Sequence, residues 1–365
     1  MSSIKACLIM INSLNSRVCA FGSFYFVETD DIYCYNLIII NIFLGDVMEK
    51  FRWAYIGSGS IAESTAKEIV KGNHSITSVY SRNYDKAAAF AAKYNARAFD
   101  DFDSAVNRDD VDGVYIATPH TSHVEYAVRA MELGKPVLCE KPVGVTTQDV
   151  DVLIDTAQKK QVYFCEAMWT WFSDVALKVK EWVKTGEIGD IKNVTISYAF
   201  PGIMMPKNSR VLTPSTAGGA LLDIGIYPIT YCYNLFGIPD KIICSGKIKN
   251  GIDIKEIVVL EYNGFKCTLN MSLCSLKENC LLKGSKGEIR LPVFHMASKA
   301  ILKNENGKTV FNGKTDYLTE FTRAADEIKV GRTESEYIPF SATKSCMQIM
   351  DECRRQMNLV YPFES

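Results

Sequence analysis

Beyond residue 50 the chain alternates between short, continuous apolar runs and longer stretches with helical spacing. Apolar runs at 51–56, 75–80, 112–117, 137–140 and 162–166 are closed by glycine, proline or polar clusters, and a shorter one lies at 96–99. Continuous runs of this length predict strands buried on both faces. Between them, 63–70, 86–94 and 124–133 carry apolar residues at helical intervals, and Thr146-Thr147-Gln148-Asp149 opens another helix. Strands alternating with helices in this way predict a doubly wound, parallel α/β sheet over residues 48–167.

After residue 167 the rhythm changes. A helix at 175–184 stops at Thr185-Gly186, and strand-like runs follow at 191–200, 241–247, 257–262, 265–273 and 280–282. Asn263-Gly264 between two of them is a type I′ hairpin signal. Residues 168–365 therefore read as an α+β domain with a large, mainly antiparallel sheet. One face of such a sheet must be polar or covered, so a homodimer or higher homo-oligomer through it is expected. Residues 218–228 predict a helix beginning at its glycines, with Asp223 and Tyr227 on one face. Pro228 removes the bond to Ile224, which predicts a kink just after Tyr227.

The first 47 residues show neither period and hold six charges (Lys5, Arg17, Glu28, Asp30, Asp31, Asp46). Their longest apolar run, 37–44, is broken by Asn41 and is far short of the roughly 20 residues that cross a bilayer. They are expected to be an extension, disordered or untranslated, with the functional protein starting at Met48. The net charge of −1 offers no basic excess for nucleic acid and no acidic tail. Twelve cysteines without a CxxC pair read as reduced thiols of a cytoplasmic protein. His120 and His123 stand three apart without a further ligand at metal spacing, so no metal is expected.

Chemistry concentrates at strand ends. The first strand runs into Gly57-Ser58-Gly59-Ser60-Ile61-Ala62 and then into a helix, a G-x-G-x-x-A pattern in strand-turn-helix context. Gly57 allows the tight turn, Gly59 lets backbone approach a pyrophosphate, and Ala62 permits close packing, which points to a dinucleotide. The second strand ends in Ser81-Arg82, where NAD-selective sites carry a carboxylate. Arg82 suits a 2′-phosphate and favours NADP(H) over NAD(H), the alternative being a solvated arginine at a strand end. Thr118-Pro119-His120-Thr121-Ser122-His123 lies beside the expected cofactor, with Thr121 and Ser122 as helix caps and His120 and His123 as cofactor or substrate neighbours. Glu140-Lys141-Pro142 sends a lysine out from the carboxyl end of a strand, where ligands bind in open α/β sheets. Asp223 and Tyr227, held together beside the kink, suit acid–base chemistry; a capping acid and a core tyrosine are the bland reading.

These features, in this order, resemble the Gfo/Idh/MocA oxidoreductase family from Met48 to Ser365. The resemblance rests on the glycine turn, Ala117-Thr118-Pro119-His120, Glu140-Lys141-Pro142 and the helix ending at Pro228. Tyr227, where many members have histidine, looks like the branch with dihydrodiol dehydrogenases, NADP-linked D-xylose dehydrogenases and glucose–fructose oxidoreductases; Glu166-Ala167-Met168-Trp169-Thr170 resembles the first two. Trp171 and Asp174 depart from the arginine and proline common there. The resemblance implies a Rossmann domain and hydride transfer at a hydroxyl or carbonyl carbon of a sugar, polyol or dihydrodiol. It implies that Lys141 binds the substrate oxygen, that Tyr227 passes the proton once a cation lowers its pKa, and that Asp223 orients Lys141 or substrate. Gly57, Ser58, Gly59, Ser60, Ile61, Ser81, Arg82, Thr118, Pro119, His120, His123, Glu140 and Lys141 would surround the cofactor. Trp169, Trp171 and Phe172 would form an apolar substrate wall. A redox-assisted glycosidase or lyase and a non-catalytic dinucleotide-sensing regulator share this fold and remain alternatives.

Overall fold

The computed structural model describes residues 17–21, 24–28 and 49–364. Two short strands, β1 (Arg17–Phe21) and β2 (Phe24–Glu28), pair antiparallel within a unit of their own, Met1–Lys50. The rest of the expected extension over residues 1–47 lies outside the described residues.

The apolar runs become β3 (Phe51–Ile56), β4 (His74–Tyr80), β5 (Arg97–Phe99), β6 (Gly113–Ile116), β7 (Val137–Glu140) and β8 (Phe164–Ala167). They form one parallel sheet in the order β5-β4-β3-β6-β7-β8. The order reverses between β3 and β6, and a crevice opens there beyond the carboxyl ends of the strands. Helices α1 (Ser60–Ile69), α2 (Tyr84–Lys93), α3 (Phe102–Val106), α4 (His123–Glu132) and α5 (Thr147–Lys160) connect them. Asn83 caps α2 through Lys86 N, and Thr146 with Asp149 forms a reciprocal capping box on α5. At α4 the expected caps do not act: Ser122 Oγ instead donates to Pro119 O at 2.9 Å.

The second half contributes α6 (Asp174–Lys184), β9 (Ile191–Ala199), a π-helical turn at Leu221–Gly225, and α7 (Ile226–Phe236). It continues through β10 (Lys241–Lys249), β11 (Ile252–Tyr262), β12 (Phe265–Ser272), β13 (Lys277–Gly284), β14 (Gly287–Leu291), β15 (Lys299–Asn304) and β16 (Gly307–Asn312). These strands build an eight-stranded sheet, β10-β11-β12-β9-β13-β14-β15-β16, antiparallel except where β12 meets β9. The turn at Asn263-Gly264 joins β11 to β12 as expected, with Tyr262 opposite Phe265.

The chain then returns to its first half. Helix α8 (Leu318–Lys329) places Phe321, fully buried, 5.1 Å from the Trp53 ring and 4.8 Å from Tyr115. Thr333 O accepts from Phe164 N, and α9 (Phe340–Met357) meets α5, where Lys344 pairs with Asp151. The segment after 167 thus completes the parallel domain as well as building its own, and both belong to one compact unit, Phe51–Ser365.

His74 ties α8 to this sheet: Trp53 Nε1 donates to its Nδ1 at 3.3 Å, and Nε2 lies 3.2 Å from Thr322 Oγ1. Burial, assisted by Lys329 and opposed by Asp326, pushes its pKa down from 6.5 to about 4. Between those values the unfolded chain takes up a proton that the folded chain refuses. Stability from neutral His74 is therefore complete above about pH 6.5 and is lost toward about pH 4, by about 1.4 kcal/mol per pH unit. In urea unfolding from about pH 7 to about pH 4.5, His74→Gln is expected to flatten the acid decline by nearly that slope; an unchanged slope contradicts the assignment.

Candidate active site

The backbone leaves β3 through Gly57, whose φ is +105°. A Cβ there would lie 2.7 Å from Ala117 O, so the approach of this turn to the end of β6 requires glycine. At Gly59 nothing stands within 4 Å of where a Cβ would point. No side chain caps α1, so the N–H groups at its start, from Ser60 and Ile61 on, are left for a ligand. A cleft of about 220 Å³ opens here, lined by Gly57, Ser58 and Gly59 on one side and by Ser81, Arg82, Thr118 and Pro119 on others. Lys86 and Tyr126, absent from the sequence expectation, also line it. Lys86 lies in the first turn of α2, so two exposed cations flank the site of a 2′-phosphate. Free backbone donors, open space above Gly59 and paired cations fit a phosphorylated dinucleotide.

Lys141 follows β7, joined to Pro142 by a cis peptide. Its Nζ donates to Asp223 O at 2.9 Å and lies 4.5 Å from the Tyr227 ring centroid. The two halves of the chain therefore meet at this ammonium. Burial pushes Lys141 down from the usual lysine range, against the opposing pull of Asp223 and Glu140. Below it, burial raises Glu140 although Tyr115 OH donates to it at 2.6 Å, and burial raises Glu166 to about 7.

Several expected contacts are placed differently. The chain is rearranged before Tyr227, in the π turn where Ile226 N–H reaches back to Leu221 O, and this widened turn just ahead of Pro228 accommodates a residue with no N–H to give. Asp223 meets Lys141 with its carbonyl, because its carboxylate is taken by Arg210 at 2.6 Å. Tyr227 is not lowered by a cation: burial, with Glu140 adding, raises it, and Lys141 stands over the ring face. Glu140 turns inward to Tyr115 and does not line the cofactor cleft. His123 is buried with Nδ1 2.8 Å from Pro142 O and Nε2 2.7 Å from Thr118 O; its neutral ring donates to one of these carbonyls, and with both nitrogens facing backbone oxygens none is left for a cofactor. His120 is buried against Arg210, 2.7 Å from Nε2. The expected wall also divides. Trp169 Nε1 donates to Tyr227 OH at 3.3 Å, whereas Trp171 stacks on Tyr233 and Phe172 packs on Tyr337, outside the site.

Comparison with known proteins places the chain in a family. The profile of the Gfo/Idh/MocA oxidoreductase family, with an NAD-binding Rossmann fold, matches residues 51–167, and that of the family's C-terminal domain matches 176–290. The scyllo-inositol 2-dehydrogenase (NADP(+)) of Bacillus subtilis is 31% identical over 85% of this chain and 98% of its own. This chain belongs to the Gfo/Idh/MocA oxidoreductase family. Another relative in the family's branch, the trans-1,2-dihydrobenzene-1,2-diol dehydrogenase of Mus musculus, is 26% identical over 85% of this chain and 98% of its own. Among solved structures, the 3-ketoreductase KijD10 of Actinomadura kijaniata, in complex with NADP and TDP-benzene, shares the fold with a TM-score of 0.77 at 21% identity, covering 84% of this chain and 98% of that one.

Within this Gfo/Idh/MocA site, sequence reasoning missed Arg210 and His295. Arg210 stands in a segment of 3₁₀ turns, Gly202–Met204, Arg210–Leu212 and Pro214–Thr216, and joins His120 of the first half to Asp223 of the second. His295 lies between β14 and β15, with its ring centroid 5.0 Å from that of Tyr227. Neither belongs to a local motif; only the folded topology brings them in.

Proposed function

We propose that this chain is an NADP(H)-dependent oxidoreductase that transfers a hydride between the nicotinamide and a hydroxyl- or carbonyl-bearing carbon of a sugar, polyol or dihydrodiol. The observation that carries this reading is the lysine–tyrosine pair, Lys141 against Tyr227, on a chain whose Gly57 turn opens into a cleft that fits a phosphorylated dinucleotide. Bound NADPH supplies the hydride. In the reducing direction the substrate oxygen lies by the Lys141 ammonium, whose charge offsets the developing alkoxide. Tyr227, kept protonated by burial, is the proton donor. Trp169 N–H occupies a lone pair of the phenol and leaves its hydrogen to the substrate. Asp223 positions Lys141 through its carbonyl. Absorbance at the nicotinamide band with scyllo-inositol, D-xylose and trans-1,2-dihydrobenzene-1,2-diol tests the reading. Substrate-dependent NADPH formation supports it. Tight NADPH binding with no absorbance change on any of them would move the assignment to a redox-assisted lyase or a dinucleotide sensor.

A homodimer across the open face of the eight-stranded sheet is part of this proposal. Cross-strand partners Ile243, Val259, Thr268, Thr195 and Leu281 form one uncharged row over five strands, and Ile257 beside it is 40% exposed. A second copy would cover that row with an identical one. Sedimentation equilibrium is expected to find a dimer and Ile257→Lys a monomer. A monomeric wild type at micromolar concentration would refute this part.

A further inference from the structure

The loop between β14 and β15 brings an imidazole to the substrate side of Tyr227. His295 stacks on Tyr198, with centroids 4.6 Å apart and planes at 22°, and meets Trp169 edge to face at 5.3 Å. Glu278, opposite Tyr198 across β13 and β9, accepts from His295 N, and its Oε1 lies 3.7 Å from His295 Nδ1. At 3.7 Å the carboxylate acts on the ring through its charge, favouring the neutral tautomer that carries its hydrogen on Nδ1 and has Nε2 as a lone-pair acceptor. Among the described residues Nε2 makes no hydrogen bond. The phenols of Tyr198 and Tyr317, both in the same aromatic cluster, also make none among the described residues.

An apolar substrate face would leave these polar atoms desolvated and unpaired, which a buried site tolerates poorly. A substrate bearing hydroxyls beyond the reacting carbon would satisfy them. We propose that His295, oriented by Glu278, selects a polyhydroxylated substrate by accepting a hydrogen bond from a hydroxyl remote from the reacting carbon. An arene dihydrodiol offers only C–H there. This inference rests on the oxidoreductase reading above and deepens it from three substrate classes to sugars and polyols. His295 is a specificity residue; the hydride and proton steps remain with Lys141 and Tyr227.

The test compares kcat and KM for NADP⁺ reduction with scyllo-inositol, D-xylose and trans-1,2-dihydrobenzene-1,2-diol in wild type, His295→Phe and His295→Gln. Phenylalanine keeps the stacking and removes the acceptor; glutamine restores an acceptor. Unaltered NADPH-enhanced fluorescence identifies the variants as folded. His295→Phe is expected to raise KM for the preferred polyol by about tenfold or more, with kcat changed by less than about threefold. Its kcat/KM for the dihydrodiol should rise or hold, and His295→Gln should recover part of the polyol preference. An unchanged ratio between polyol and dihydrodiol in His295→Phe, with the wild type active, overturns the role of His295 alone. Absence of turnover by the wild type on all three overturns the oxidoreductase reading and this inference with it.

Discussion

Lys141→Ala is expected to bind NADPH and turn over no substrate. The variant loses the cation that meets the substrate oxygen, and removing one such preorganised donor costs about 10²–10³ in kcat. It also loses the link from Nζ to Asp223 O, so the π turn and α7 are no longer tied to the end of β7. The cofactor cleft is built from other residues, those of the Gly57 turn, the end of β4 and the Thr118 loop. Fluorescence titration should therefore give an NADPH affinity within about threefold of wild type, while steady-state rates fall to background. Turnover within tenfold of wild type would remove Lys141 from the chemistry. A parallel loss of NADPH affinity would instead mean that the substitution had disturbed the crevice.

Replacing Arg82 and Lys86 together by alanine is expected to erase the preference for NADP(H). Both side chains are exposed at the mouth of the cleft, and neither has a hydrogen bond within the described residues that binding would have to break. Charge-assisted hydrogen bonds to phosphate contribute about 1.5–3 kcal/mol each. Even after discounting for exposure, the double variant should lose about 10²-fold in NADPH affinity. NADH lacks the phosphate and should bind about as before. Equal losses for the two cofactors would show that these cations do not read the 2′-phosphate. The single variants separate Arg82, visible at the strand end in the sequence, from Lys86, which the first turn of α2 brings beside it.

Local interactions account for what could be read in advance. The parallel sheet, its order of elements and the Gly57 turn follow from contiguous apolar runs and from one strand-turn-helix unit. Lys141 was legible because a strand end and a proline fix where its side chain leaves the backbone. The substrate side obeys long-range geometry. Trp169, Trp171 and Phe172 are nearly adjacent, yet the short 3₁₀ segment Trp169–Phe172 sends only Trp169 to Tyr227. Strands β14 and β15 were missed because each has only two buried apolar positions, Ile289 and Leu291 or Ala300 and Leu302, too few to mark an alternation, and β16 has none. Arg210 and His295 lie in loops without period or motif. The pairing of the Asp223 carboxylate with Arg210 could not be anticipated from a spacing rule that paired it with Tyr227.

Phe321 gives the order of synthesis a structural meaning. The face of the parallel sheet that carries Trp53, Tyr55 and Tyr115 is covered in part by a helix that comes after the whole of the second sheet in the chain. The nucleotide-binding half is made first, and Trp53, Tyr55 and Tyr115 lack the Phe321 ring until the whole of the second sheet has been made. A first half that folded alone would do so without the Phe321 contacts to these three rings. A nascent polypeptide halted before α8 presents a sticky aromatic surface, which is the kind of surface that chaperones hold.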